Sequence, residues 1–191
     1  MTSSPTAMPR SVKRGRRMLI ALFVLFFGSM FVAGALRFSG WQPAAMRNHG
    51  ELLSPPGDLR ALTPQLAGGG DYAWAPSERL WRIALAPPAD CVQACLALAE
   101  DLDKVWQLLG HNADKVHVLW IGTPPAGLPA LPELRVVRDD PRLRRQLPRL
   151  DEAGGVPVYV IDPNGFVILR YAPGFDPAGL RADLAKLLKL M

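Results

Sequence analysis

Cysteine is scarce in this chain: Cys91 and Cys95 are the two present in 191 residues. A structural zinc ion wants four ligands, and no second cysteine pair offers them. No C-x-x-C-H run is present to attach haem. The sequence also contains no glycine-rich nucleotide loop, no Ser-His-Asp arrangement, no paired-carboxylate motif, no internal repeat and no low-complexity tract. No basic stripe interleaved with aromatic residues appears, which removes nucleic acid from the expected partners. Acidic residues are missing from positions 1–17, and charge of either sign is missing from Met18 to Leu36.

Those last two gaps define the first part of the chain. The five basic residues Arg10, Lys13, Arg14, Arg16 and Arg17 precede an apolar run of 19 residues, Met18–Leu36. At about 1.5 Å per residue the run reaches close to 30 Å, the thickness of a bilayer's hydrocarbon core. It is longer than the apolar region of a cleavable signal peptide and ends in Arg37-Phe38 without a small-residue site. The expectation is a cytoplasmic basic tail (1–17), a retained transmembrane helix (18–36) and export of everything after it. The net charge of +5 belongs wholly to that tail. Of 22 basic residues, five precede the span, and the other 17 balance 17 acidic ones.

Residues 37–71 read as a stem, rich in proline and glycine, with at most a short strand. His49 stands out there, either as a solvated loop residue or as an extra copper ligand. Residues 72–191 are long enough for one core. Their periodicities predict a strand over 80–86, a helix over 92–109 and a strand over 116–121. A short strand over 134–137 follows, then a short basic helix over 141–150. Strands over 156–162 and 166–171 are joined by Pro163-Asn164-Gly165, a hairpin signal. A closing helix is capped by Asp176 with Pro177 at its first position, and its stripe is Leu180, Leu184, Leu187 and Leu188. This order predicts an α/β domain: a central mixed sheet with helices on both faces, its first two strands parallel.

Asp90-Cys91-Val92-Gln93-Ala94-Cys95 falls where a strand gives way to a helix. The amide groups and partial positive charge of a helix start favour thiolates, and residues four apart share a helix face. Two sulfurs so placed can close a disulfide or clamp one copper(I) ion. A static structural bridge is the third reading. For redox work Cys91 is the expected attacking thiol and Cys95 the resolving one, with Asp90 opposing activation of Cys91. His117 is expected on the sheet face opposite Val116 and Val118, and His111 near a helix C-terminus. The arginines at 142, 144, 145 and 149 read as a solvated helix face or a docking surface for an acidic partner. Trp81 is expected to pack beneath the cysteines.

These residues resemble the thioredoxin-like superfamily and, within it, the SCO/SenC group of membrane-anchored copper chaperones for cytochrome c oxidase. The resemblance is carried by the Cys91-x-x-x-Cys95 spacing, by Val160-Ile161-Asp162-Pro163-Asn164-Gly165-Phe166-Val167, and by the single anchor ahead of the domain. It implies a thioredoxin-like fold, copper(I) on Cys91 and Cys95, and a domain in the periplasm of a bacterium, tethered to the inner membrane. The implied partner is cytochrome c oxidase subunit II, with its dinuclear copper site or its thiols. The histidine that completes the copper site in that group would fall near Gly154, where none occurs. Gly155-Val156-Pro157 instead looks like the thioredoxin loop whose cis-proline faces the cysteines, which implies a site role for Pro157 and a cis Val156–Pro157 bond. That departure moves weight toward thiol–disulfide exchange, including a general exported oxidoreductase, for example one that reduces apocytochrome c, and leaves a non-catalytic assembly scaffold as a further reading.

Overall fold

Residues 10–39 and 48–190 are described by the computed structural model. The chain divides into two units, residues 1–46 and 47–191. In the first, α1 runs over Arg10–Phe38 and so begins inside the basic tail, ahead of the expected span. Its stretch Arg14–Phe38 is long and apolar enough to cross a membrane, and its most apolar 18 residues have a mean hydropathy of 2.5. Positions 1–9 of the tail and 40–47 of the stem lie outside the described residues.

The second unit holds β1 (Glu51–Asp58), β2 (Trp81–Leu85), α2 (Gln93–Gln107), β3 (Val116–Ile121) and β4 (Leu134–Val137). After them come α3 (Pro141–Arg144), β5 (Val158–Ile161), β6 (Phe166–Tyr171) and α4 (Pro177–Leu187). The six strands form one mixed sheet in the order β1-β6-β5-β2-β3-β4. β2, β3 and β4 run parallel, while β2–β5, β5–β6 and β6–β1 pair antiparallel. The parallel pairing of β2 and β3 agrees with the sequence.

Alternation along the central strands makes two cores. Ile83, Leu85, Val118, Trp120, Val158 and Val160 point to the face covered by α2 and α4 through Ala99, Leu102, Val105, Leu180 and Leu184. Ala84, Leu119, Ile121, Tyr159 and Ile161 point the other way, against Leu59, Tyr72, Trp74, Leu143 of α3 and Leu147. Period two in the strands thus builds a three-layer domain. Arg82 is the exception in its strand: it faces the second core, wholly buried. Its guanidinium donates to the Tyr72 hydroxyl (3.0 Å), to the Leu80 carbonyl (2.7 Å), and to the carbonyls of Asp162, Pro163 and Trp74. A buried cation is tolerable when its donors are met in this way.

The hairpin and the last helix form as their residues dictate. Asp162 Oδ1 accepts from the backbone N–H groups of Asn164 (3.0 Å) and Phe166 (2.7 Å), and Gly165 takes the positive φ of +99° that closes the turn. Asp176 accepts from Ala178 N (2.9 Å) with Pro177 first in α4.

In two places the structure settles or corrects the expectation: the strand allowed for the stem is formed, and the basic helix is shorter. The proline-rich stem supplies β1, which pairs with β6 through a bulge between Leu52 and Gly57. An edge strand can carry Pro55-Pro56 because one side of its backbone has no neighbour to serve. The basic helix stops at Arg144 rather than continuing to Leu150. Pro148 cannot donate to the helix ladder and disfavours helical backbone before it, and Arg149 has a φ of +54°.

Candidate redox site

Cys91 and Cys95 are joined in a disulfide, with their Cα atoms 5.7 Å apart. Expectation put both cysteines on the first helical turn. Only Cys95 is there, because Cys91 lies ahead of Val92, the residue that precedes α2. The reason is local. Cys91 N donates to the Pro88 carbonyl (3.2 Å), closing a turn just outside the helix, and the first helical bond runs from Leu96 N to Val92 O (2.9 Å).

The two sulfurs have different surroundings. Cys95 is fully buried beneath the α2 face, in the same core as Trp81. Cys91 is partly exposed and lines a cavity of about 630 Å³. The lining of that cavity also includes Gly154, Gly155, Val156 and Pro157, so Pro157 and Cys91 border one space. The Val156–Pro157 bond is not cis, however; among the described residues the cis peptide is Ser54–Pro55. Gly154 and Gly155, at φ of +111° and +135°, already turn the chain into β5, and the proline follows in trans.

The cavity is mostly apolar, with Leu98 and Phe175 among its walls. Its charged lining consists of Asp101, Asp151, Glu152 and one cation, Arg144. Sequence reasoning placed Arg144 on a solvated face. Instead its guanidinium donates to the carbonyls of Ala86 (3.2 Å) and Pro87 (3.3 Å), on the loop that leads to Cys91, and pairs with Asp139. No spacing in the sequence announces this, because the contact joins positions more than 50 residues apart. The neighbouring arginines behave otherwise: Arg142 pairs with Asp140, and Arg149 with Glu51.

The histidines are engaged away from the sulfurs. His49 Nδ1 lies 3.2 Å from Asp183 Oδ1, and the His49 and Gly50 backbone N–H groups donate to Asp183 Oδ2 at 2.6 and 3.0 Å. Asp183 also accepts from the Tyr171 hydroxyl (2.9 Å) and from Lys186 (3.1 Å). Burial acts to raise the Asp183 pKa, but the donors from Gly50, Tyr171, Lys186 and His49 outweigh it and hold it down at about 2. His117 Nδ1 is 2.8 Å from the Tyr72 hydroxyl. Burial, with Arg135 and Arg82 nearby, lowers its pKa from 6.5 to about 4. His117 thus lies on the sheet face opposite Val116 and Val118, with Tyr72, as the alternation indicated. His111 is exposed, with its Nε2 3.1 Å from Asn112 Nδ2. Among the described residues, no group of three or more His, Cys, Asp or Glu is placed to hold a metal ion.

A solved structure shares the fold. Named Trgpx and in apo form, it superposes with a TM-score of 0.51 at 13% identity, covering 69% of this chain and 95% of its own. ScoI from Arabidopsis thaliana, solved with copper bound, gives 0.49 at 13% identity over 68% of this chain and 96% of that one. Peroxiredoxin Q from Xanthomonas campestris gives 0.46 at 18% identity over 73% and 96%. No curated protein matches the sequence. A family profile described as the transmembrane-like, thioredoxin-like, C-terminal domain matches residues 81–191, which begins at β2 and takes in both cysteines and the cavity walls; the chain belongs to that family.

Proposed function

We propose that the Cys91–Cys95 pair is a redox centre that exchanges disulfides with a partner protein. The observation that carries this reading is the asymmetry of the bridge: Cys91 opens onto the cavity and Cys95 is fully buried. A partner thiolate can reach the Cys91 sulfur alone. Its attack forms an intermolecular disulfide and breaks the Cys91–Cys95 bond, whose electron pair leaves on Cys95. That sulfur sits in the first turn of α2, where free amide groups favour negative charge. The partner's second thiolate then attacks its own bonded sulfur and releases Cys91. The partner is oxidised by two electrons, and the pair takes them up with two protons. Run backwards, the same steps reduce a partner disulfide.

Copper(I) as a cargo is the second reading, supported by the closeness of the two sulfurs, whose Cα atoms lie 5.7 Å apart and which could clamp one ion once the bridge is reduced. Copper(I) accepts two soft ligands, and with all three histidines engaged elsewhere the site would be two-coordinate. Cys91→Ser and Cys95→Ser would then each abolish tight binding, while His49→Ala would not. The apolar stretch of α1 supports a single-pass anchor, and the basic residues before it support export of the domain. Service to cytochrome c oxidase subunit II is the finest form of the proposal and rests on the SCO/SenC resemblance.

Equilibration of the full chain in detergent with glutathione buffers of graded potential tests the redox reading. The expected result is a reversible transition between disulfide and dithiol while the domain stays folded. A bridge that opens only on unfolding would contradict it and leave a structural staple.

A further inference from the structure

We propose that Arg144 is the positioning residue that biases the Cys91–Cys95 pair toward its reduced form; this rests on the redox reading above. Arg144 ends the single turn of α3, capped by Asp140. From there its two terminal nitrogens reach the carbonyls of Ala86 and Pro87, on the segment between β2 and Cys91. Its side chain is 25% exposed, against 66% for Arg142 two residues earlier. Among the described residues lining the cavity with Cys91 it is the sole cation.

The charges around it decide the direction of its effect. Asp101 on α2 and Asp151 and Glu152 after α3 line the same cavity, and Asp90 adjoins Cys91. Glu152 is already held by Arg170, and Asp139 pairs with Arg144 from outside. The disulfide carries no charge, whereas the reduced pair carries negative charge whenever one of its sulfurs is a thiolate. The carboxylates oppose that charge and the guanidinium favours it. The fork also ties down the loop, but Ala86 directly follows the buried β2, so the loop's origin is fixed without it. The charge therefore outweighs the tether, and losing Arg144 favours the disulfide.

The test uses the full chain in detergent, comparing wild type, Arg144→Met, Arg144→Lys and the control Arg142→Met. Two readings are taken for each: the equilibrium constant with glutathione, and thermal stability in the oxidised and reduced states. Arg144→Met is expected to shift the equilibrium toward disulfide by about fivefold, the size expected of one partly exposed unit charge. Arg144→Lys, which keeps the charge, should restore most of it, and Arg142→Met should match wild type. Arg144→Met should lower stability more in the reduced than in the oxidised state, whereas a merely structural arginine would lower both equally. An unchanged equilibrium constant for Arg144→Met, or a shift toward dithiol, overturns the inference while leaving the redox reading intact. A wild-type bridge that does not open in the folded chain overturns the redox reading and this inference with it.

Discussion

Arg82, within β2, and Arg144, which reaches the carbonyls just past its end, use the same chemistry to opposite ends. Both send a guanidinium to backbone carbonyls, Arg82 beside the start of β2 and Arg144 just beyond its end. Around Arg82 the space is closed: Tyr72, Trp74 and the β5–β6 turn surround a side chain with no exposure. Around Arg144 the space is open, and the cavity wall that it forms is shared with Cys91. Full enclosure makes a cation a structural pin. Partial enclosure beside Cys91 makes it a means of tuning charge.

Removing the pin should therefore be the most damaging change. Arg82→Met strips the donors from several buried carbonyls and is expected to cost about 3–5 kcal/mol, read by denaturant unfolding. If Arg82 is purely structural, any folded Arg82→Met protein should keep the wild-type glutathione equilibrium. Next comes Asp183, which ties residues 49 and 50 to α4. Its depressed pKa means its contribution is complete above about pH 4 and is lost as pH falls toward 2. Asp183→Asn should cost about 2 kcal/mol at neutral pH and flatten the stability profile in that window.

His117 gives a smaller, separable effect at higher pH. The unfolded chain takes up a proton below about 6.5 that the folded chain refuses until about 4. Stability should thus fall by about 1–2 kcal/mol as pH drops through that interval, and His117→Gln should remove this slope. The smallest effect is expected at Arg142, exposed and paired only with Asp140, where Met should change stability by no more than about 0.5 kcal/mol. A larger loss there would blur the contrast between this solvated arginine and Arg144.

How much of this could be read in advance depended on the range of the interactions. The β5–β6 turn and the start of α4 were legible because Asp162–Gly165 and Asp176-Pro177 make their own hydrogen bonds within a few residues. The alternation that divides the two cores was legible for the same reason. β1 was obscured, since Pro55 and Pro56 argue against a strand unless it is known to lie at a sheet edge. The trans bond at Pro157 was missed because the sequence cannot say how much of the reversal Gly154 and Gly155 perform. For the site, the cysteine pair was visible in its spacing, and the loop at Pro157 was suggested by the resemblance to thioredoxins. Arg144 and the His49–Asp183 contact were not, because each joins distant segments whose meeting depends on the completed sheet. Arg82 did carry a signal: an arginine inside the apolar run from Leu80 to Leu85 has to find buried acceptors.

Mapping which sulfur a small thiol attacks tests the central claim most directly. The oxidised full chain, folded in detergent, would be exposed to glutathione, quenched with acid and mapped by peptide mass. The account predicts that the glutathione adduct forms on Cys91, that it resolves back through Cys95, and that it persists in Cys95→Ser protein loaded with oxidised glutathione. An adduct on Cys95, or no adduct on either cysteine under folded conditions, would contradict it.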